Sequence, residues 1–270
     1  MTSEPPPSPS LRPIAIAAMS LIWDRPTGRA FDEMLDDIAD LGYDGLSCFA
    51  TELAPYIDRS ELLHAKLQDR GLSLVGVTAL LDDDAAWIRD VIGFMGVLGA
   101  PFLACTDFDT GLRIDQAAAI LNERGAEAES TGVAVYYHNH TGGVAETASE
   151  LHDLRALCEP DLVGSMLDVG HATKDFDDPV VGNRAAAYIE ANLPPIDYLE
   201  FKDWNANTDL NTPLGEGVTD FARIVRTLRD RGYTGWITVE QNGNDGPSLG
   251  RAPRQSAAIS RAYLRDHLKL

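Results

Sequence analysis

The sequence is poor in cysteine and in basic residues and has no long hydrophobic run, and each shortage excludes a class of protein. Its three cysteines, Cys48, Cys105 and Cys158, are too few for a disulfide framework, which favours a reducing cytoplasm. The 22 Lys and Arg face 42 Asp and Glu, and a net charge of −20 would repel nucleic acid. No stretch reaches the roughly 18 apolar residues that a membrane span requires. We therefore expect neither nucleic acid nor a membrane as a partner.

The N-terminal segment differs in composition from the rest of the chain. Residues 1–12 are rich in Pro and Ser and lack the basic-then-apolar pattern of a signal peptide. We predict a disordered leader over 1–12 and a folded domain over 13–270. With 270 residues in all and 44% apolar content, the chain can bury one large core.

Segments of helical period alternate with short apolar runs, and a glycine-containing turn joins helix to strand in five places. The predicted strands are 14–18, 45–49, 73–78, 101–106, 133–138, 164–168, 196–201 and 236–240. The predicted helices are 28–41, 60–70, 84–98, 113–130, 147–157, 180–191, 219–231 and 251–266. Eight of each favour an α/β fold, the closed (β/α)8 TIM barrel, as a single domain. An open doubly wound sheet is the alternative, but no G-x-G-x-x-G follows the first strand.

Four of the apolar runs end in residue types that bind metal ions. They read Val133-Ala-Val-Tyr-Tyr-His138-Asn139-His140, Ser165-Met-Leu-Asp168-Val-Gly-His171, Ile196-Asp-Tyr-Leu-Glu200-Phe-Lys202-Asp203 and Trp236-Ile-Thr-Val-Glu240-Gln241. Because the carboxyl ends of barrel strands face one pocket, residues far apart in sequence converge there. One residue from each run gives the predicted ligand set: His138, Asp168, Glu200 and Glu240.

This ligand set combines one imidazole with three carboxylates. Carboxylates packed closely repel one another unless a cation or protons compensate them. The oxygen-rich composition favours Mn²⁺ or Mg²⁺, and the imidazole keeps Co²⁺ and Zn²⁺ open. The alternative for any one of the four is an ordinary solvated strand-end residue or a helix cap.

Residues beside the predicted ligands are further candidates. His171 contacts either the metal or a substrate hydroxyl. His140 shares the facing of His138 if the strand continues, and otherwise points into the loop. Lys202 either stabilises negative charge on a substrate oxygen or forms an ion pair with one of the carboxylates, and Asp203 should face away from the site.

Other positions carry weaker signals. The segment Gly215-Glu216-Gly217 is a turn with little phosphate-binding potential, because a glutamate separates the glycines. Trp23, Trp204 and Phe49 are candidate walls of a sugar pocket, although single aromatic residues more often serve packing.

Together these motifs resemble the xylose-isomerase-like TIM-barrel superfamily, which includes ketose 3-epimerases, inosose dehydratases and endonuclease IV. The residues that carry the resemblance are Tyr137-His-Asn-His140, Leu167-Asp-Val-Gly-His171, Phe201-Lys-Asp203, Gly215-Glu-Gly217 with Asp220-Phe221, and Val239-Glu-Gln241. The likeness covers roughly 130–245 strongly and the first half by architecture alone.

The resemblance implies one metal ligand from each of the last four barrel strands. Many members supply Glu, Asp, His and Glu in that order, whereas this chain has His138, Asp168, Glu200 and Glu240, so the first and third types are exchanged. The total ligand charge is unaltered by the exchange. In ketose epimerases, the glutamates of the first and last of these positions exchange protons on opposite faces of the substrate. Only Glu240 remains here, and His140 or His171 is left to take the second role.

We therefore predict a metal-dependent enzyme that abstracts a proton α to a carbonyl of a sugar or cyclitol. An isomerase or epimerase is the first interpretation. A dehydratase or lyase, which eliminates a β-hydroxyl or glycosidic group from a keto-sugar or inosose, is the second. The expected catalytic residues are Glu240, His171, Lys202 and His140.

Two other classes remain as alternatives. A non-catalytic sugar-binding barrel would hold no metal. An endonuclease IV-like hydrolase would need additional histidines on other strands, which this chain lacks. Barrels of this kind often pair, so a homodimer is the expected assembly.

Overall fold

The computed structural model describes residues 14–108, 110–193, 196–243 and 250–270, so the predicted leader at 1–12 lies outside the described residues. Eight parallel strands close into a barrel in which each strand pairs with its neighbours along the chain and the first pairs with the last. This confirms the (β/α)8 TIM barrel. The barrel strands are β1 (Ala15–Met19), β2 (Gly45–Phe49), β3 (Ser73–Leu80), β4 (Phe102–Thr106), β5 (Ala134–Tyr137), β6 (Val163–Asp168), β7 (Ile196–Phe201) and β10 (Trp236–Val239).

Nine α-helices of the described residues surround the barrel. They are α1 (Arg29–Asp40), α2 (Ser60–Gln68), α3 (Ala85–Leu98), α4 (Ile114–Ala128), α5 (Ala148–Leu157), α6 (Val169–Asp175), α7 (Arg184–Asn192), α8 (Phe221–Asp230) and α9 (Pro253–Tyr263). Single turns of 3₁₀ helix occupy Ser20–Trp23, Ala50–Leu53 and Val181–Asn183, and a π-helical turn occupies Leu264–Leu268. No described helix is both long and apolar enough to cross a bilayer.

Two short elements were not predicted. The first is α6, which has seven residues and follows β6 without a gap. The second is an antiparallel hairpin of β8 (Asp203–Asn205) and β9 (Asp209–Thr212), which lies within the long loop after β7. Both follow barrel strands at their carboxyl ends, the end of a TIM barrel where functional loops lie.

The hydrophobic core has two parts. The larger part lies between the strands and the helices, and a smaller layer fills the barrel interior with Ala104, Tyr136, Met166 and Tyr198. The Tyr198 hydroxyl donates a hydrogen bond to Thr238 Oγ1 over 2.6 Å, and Thr238 Oγ1 lies 2.9 Å from Ser47 Oγ. The hydroxyls of Tyr198, Thr238 and Ser47 are therefore paired with one another.

The alternation of side chains along each strand positions the site. Tyr136, Met166 and Tyr198 point into the barrel from β5, β6 and β7. Side chains two residues further along a strand share the same facing. They form the next layer towards the carboxyl ends: His138, Asp168 and Glu200.

Candidate metal centre

One carboxylate oxygen of Asp168 accepts a backbone hydrogen bond, and the other faces the site. It is the last residue of β6 and the N-cap of α6, where its Oδ1 accepts a hydrogen bond from His171 N over 2.8 Å. Its Oδ2 remains for the pocket and lies 3.2 Å from His138 Nε2. The spacing of three residues between Asp168 and His171 is thus that of a helix cap, and it brings both side chains to one place.

Asn139 fixes the neighbouring strand end. Its Oδ1 accepts from Asp168 N over 2.8 Å, and its Nδ2 donates to Asp168 O over 3.1 Å. These two bonds join the chain just beyond β5 to the end of β6, and so hold His138 beside Asp168. Asn139 belongs to the Tyr-His-Asn-His motif, but no role was predicted for it.

The four predicted ligands converge. Oxygens of Asp168, Glu200 and Glu240 lie within 4.8 Å of one another. His138 Nε2 lies 3.2 Å from Asp168 Oδ2 and 3.4 Å from Glu200 Oε2. All four side chains are buried. The three carboxylate oxygens, with the His138 nitrogen beside two of them, offer the donor types of a divalent cation site, and Asp168 also forms a second such group with His138 and His171.

Lys202 lies within this acidic cluster and is fully buried. Its Nζ donates to Glu240 Oε1 over 2.7 Å and lies 4.0 Å from Asp168 Oδ2. Burial by itself lowers the pKa of Lys202, but the carboxylates of Glu240 and Asp168 outweigh it and raise that pKa, so Lys202 is a cation. Of the two predicted alternatives, the ion pair with a carboxylate is present.

Glu240 and Glu200 have different proton affinities. Burial raises the pKa of Glu240, but the Lys202 ammonium, together with hydrogen bonding to Glu200, outweighs it and holds that pKa at about 2. Burial, together with the negative charges of Glu240 and Asp168, raises the pKa of Glu200 well above its usual range. The protein alone therefore compensates Glu240 with an ammonium and leaves Glu200 short of positive charge. A divalent cation would supply that charge, which is a second reason that the donor set fits one.

His171 presents an N–H group to the pocket. Its Nδ1 accepts a hydrogen bond from Thr141 N over 3.0 Å, and burial followed by the charge of Lys202 lowers its pKa well below the usual value. A neutral imidazole that accepts at Nδ1 carries its proton on Nε2. Although His171 lies close to His138 and Asp168, a protonated Nε2 donates a hydrogen bond and does not bind a metal.

Thr141 connects His171 to Asp175. Its backbone amide donates to His171 Nδ1, and its hydroxyl, 2.9 Å from the same nitrogen, donates to Asp175 Oδ2 over 2.5 Å. Thr141 was not singled out from the sequence, because a threonine in a loop carries no signal of its own. Its contacts join residues that are thirty or more positions apart.

His140 lies at the rim of the site. Its ring centre is 3.9 Å from that of His171 and 6.0 Å from that of His138, and its Nδ1 donates to Thr141 O over 2.7 Å. Burial, followed by the neighbouring His138, lowers the pKa of His140 to about 4, so the ring is neutral near pH 7. Its Nε2 therefore carries a lone pair.

Buried polar atoms without a protein partner are concentrated at this end of the barrel. Among the described residues, seven such side-chain atoms have no hydrogen-bond partner. All belong to residues that lie at, or within three positions of, the carboxyl ends of barrel strands: Glu52, Thr106, His138, His171, Glu200 and Gln241. Buried polar groups are nearly always paired in native proteins, so this concentration indicates where a ligand binds.

Asp203 faces away from the predicted metal ligands, as expected, and organises the loop after β7. Its Oδ2 accepts from Gly215 N and Gly217 N over 2.9 Å each. A Cβ at position 217 would lie 2.1 Å from Asp203 Oδ1, so only glycine fits there. The amides of this turn bind an internal carboxylate, which removes the weak phosphate-binding interpretation of the segment.

The opposite side of the mouth is partly aromatic. Phe49, Thr78 and Phe108 line a cavity there, with Arg25 lying 5.0 Å from the centre of the Phe49 ring. Of the predicted walls, Phe49 therefore lines a cavity. Trp23 instead donates from its Nε1 to Asp37 on α1.

Comparisons with known proteins agree with this architecture. A family model described as xylose isomerase-like TIM barrel matches residues 35–267. The inosose dehydratase of Bacillus licheniformis is 23% identical over 282 residues, which covers 89% of each chain. The sequence placed an isomerase or epimerase first, whereas the curated relatives carry the name of its second interpretation.

Solved structures repeat the fold. The probable 3-DHS dehydratase AsbF of Bacillus anthracis superposes with a TM-score of 0.76 at 12% identity, covering 94% of this chain and all of that one. D-psicose 3-epimerase of Clostridium cellulolyticum H10 gives 0.72 at 18% identity, covering 94% and 99%. The IolI protein with a bound zinc atom gives 0.71 at 16% identity, covering 94% and 97%.

Proposed function

The chain belongs to the xylose isomerase-like TIM-barrel family, and from this premise we propose that it is a divalent-metal-dependent dehydratase acting on a keto-cyclitol or keto-sugar. The reaction removes a proton α to the carbonyl and a hydroxyl group from the β carbon. The observation that carries the proposal is the combination of an ionised carboxylate, Glu240, with an N–H donor, His171 Nε2, around one set of metal-binding oxygens.

Elimination needs a base for the α-proton and a donor that stabilises the departing hydroxyl group, and this pair supplies them. A two-base epimerase needs a second base on the opposite face of the substrate. The first ligand position, on the strand where ketose epimerases carry a glutamate, holds His138, whose Nε2 points at Asp168 and Glu200. An imidazole that binds a metal through this nitrogen is not free to accept a proton.

The ligands in this proposal are His138, Asp168, Glu200 and Glu240. Three carboxylates favour Mn²⁺ or Mg²⁺, with Co²⁺ or Zn²⁺ as alternatives through the imidazole. With Lys202 protonated, the three carboxylate charges balance one ammonium and one divalent ion. A bound divalent ion would supply positive charge to the substrate carbonyl oxygen as the α-proton leaves.

The catalytic residues have separate parts in the proton transfers. Glu240 accepts the α-proton, and the electron pair of the C–H bond forms the double bond between the α and β carbons as the β C–O bond breaks. The departing hydroxide accepts a hydrogen bond from His171 Nε2, takes up the proton from Glu240 and leaves as water, which returns Glu240 to its ionised form. Lys202 holds Glu240 ionised and donates to negative charge nearby.

A role for His140 belongs to the second candidate function, isomerisation or epimerisation. Its Nε2 lone pair and its ring, 3.9 Å from that of His171, favour it as the second base of that reaction. Both reactions begin with the same proton abstraction, so the ligand set serves either one.

Two measurements test the function. Metal content by mass spectrometry after purification should be close to one divalent ion per chain, and a barrel that binds sugar without catalysis should hold none. Proton NMR in D₂O with an inosose and, separately, D-allulose then identifies the reaction. Loss of water from the inosose supports the dehydratase, and a deuterated isomer of either compound supports the second candidate. Metal-bound protein that acts on neither compound contradicts both.

A further inference from the structure

Thr106 belongs to the same interior layer as the metal ligands. It is the last residue of β4, and Ala104, two residues earlier, points into the barrel. Thr106 therefore shares that facing, one layer closer to the mouth. The hydrogen-bond ladder between β4 and β5 continues to the level of Thr106, because His138 N donates to Cys105 O over 2.8 Å. Thr106 is thus the neighbour of His138 on the side opposite Asp168.

The Thr106 hydroxyl has no hydrogen-bond partner among the protein atoms, although the residue is only 1% exposed. Thr238 provides the comparison in the layer below. It is equally buried, and its hydroxyl contacts both Tyr198 and Ser47. An unpaired buried hydroxyl is unfavourable for folding, so one that adjoins a ligand-binding layer suggests that the ligand supplies its partner.

We propose that Thr106 is a specificity-determining residue whose hydroxyl forms a hydrogen bond with a hydroxyl group of the polyol substrate. The inference rests on the proposed function and adds a contact to it. A site with a polar group awaiting a substrate hydroxyl discriminates strongly against an analogue that lacks it. The substrate therefore carries a hydroxyl group within reach of β4, two strands away from Asp168.

The test uses the metal-loaded enzyme and three variants. Thr106→Val removes the hydroxyl and keeps the shape, and Thr106→Ser keeps the hydroxyl. Thr238→Val makes the same chemical change at the paired hydroxyl. Metal content is measured for each variant, because Thr106 adjoins His138. Values of kcat/KM are then measured for an inosose and for its monodeoxy analogues.

We expect Thr106→Val to lose about tenfold or more in kcat/KM, as expected for one hydrogen bond, at unchanged metal content. Thr106→Ser should stay within about threefold of the wild type on the same reasoning. One monodeoxy analogue should be a poor substrate for the wild type and no poorer for Thr106→Val. A value within twofold of wild type for Thr106→Val, or equal further losses on every analogue, overturns the proposal.

A measurement without substrate separates this inference from the proposed function. Thr106→Val should have an unchanged or higher thermal unfolding midpoint, because no protein hydrogen bond is lost. Thr238→Val should have a lower one, because Tyr198 and Ser47 lose a partner. If Thr106→Val is destabilised as much as Thr238→Val, the hydroxyl has a structural partner and the inference fails, whatever the enzyme acts on. Wild-type protein that is inactive on every inosose contradicts the proposed function instead.

Discussion

Replacing Lys202 by Met tests whether the ammonium and a metal ion both compensate the buried carboxylates. The side chain is fully buried, with Nζ at 2.7 Å from Glu240 Oε1 and 4.0 Å from Asp168 Oδ2. Met has similar length and no charge, so the substitution removes the ammonium and leaves buried carboxylates without compensation. Breaking a buried ion pair from one side costs about 3–5 kcal/mol.

The lowered pKa of Glu240 gives a second measure, because the Lys202 ammonium is the largest of the influences that lower it. Its decrease from 4.5 to about 2 corresponds to about 3 kcal/mol of stability. Since this pKa is lower in the folded state, the contribution is fully present above pH 4.5 and is lost as the pH falls towards 2. For a chain of this size, 3–5 kcal/mol lowers the unfolding midpoint by roughly 6–20 °C.

The assay is thermal unfolding at pH 7.5 in EDTA and again in excess Mn²⁺. In EDTA, Lys202→Met should show the full decrease in midpoint. In Mn²⁺ the decrease should be less than half as large, because the ion supplies the missing positive charge. The matched control is Lys174→Met, whose partner Asp209 is exposed and lies 3.1 Å away. That change should stay within about 1 kcal/mol under both conditions. An equal decrease for Lys202→Met with and without metal would refute the reasoning.

Three further predictions concern the same pocket. Glu240→Gln should lower kcat by about 10²- to 10⁴-fold while metal remains bound, as measured by steady-state kinetics beside metal analysis; full turnover would reject Glu240 as the base. Thr141→Val should lower kcat several-fold without changing metal affinity, because it removes the hydroxyl between His171 and Asp175; an effect on metal affinity alone would count against that role. As the pH rises towards the raised pKa of Glu200, metal binding should tighten by up to about tenfold per pH unit. Chelator competition measures this affinity, and an affinity that does not depend on pH would contradict protonation of Glu200.

The sequence was sufficient to predict the fold and the place of the candidate ligands because both depend on local patterns. Each strand has its own apolar run and each helix its own period, so β2 and β7 were predicted with their observed limits and the other barrel strands within two residues of theirs. His138, Asp168, Glu200 and Glu240 follow from the ends of those runs. Their convergence then needs only the closure of the barrel.

Features that depend on three-dimensional contacts were not predicted. The helix α6 is too short for a periodic signal, and its start is set by the carboxylate of Asp168 acting as a cap. The partner of Lys202 was left open between substrate and carboxylate. Sequence spacing predicts which way a side chain points, but not which atom its end contacts. The hydroxyls of Thr106 and Thr141 have no local signature, and only their surroundings distinguish them from ordinary threonines.

Lys202 and Asp203 are consecutive residues with opposite facings, and this arrangement joins two parts of the protein that would otherwise be independent. One contacts the carboxylates inside the barrel, and the other binds the glycine turn outside them. Inserting or deleting a single residue here would exchange the two facings. The carboxylates would then lose the Lys202 ammonium, and the glycine turn would lose the Asp203 carboxylate that binds its amides. The chain length at this junction is therefore far more constrained than at the tip of the neighbouring hairpin, where added residues would disturb neither partner.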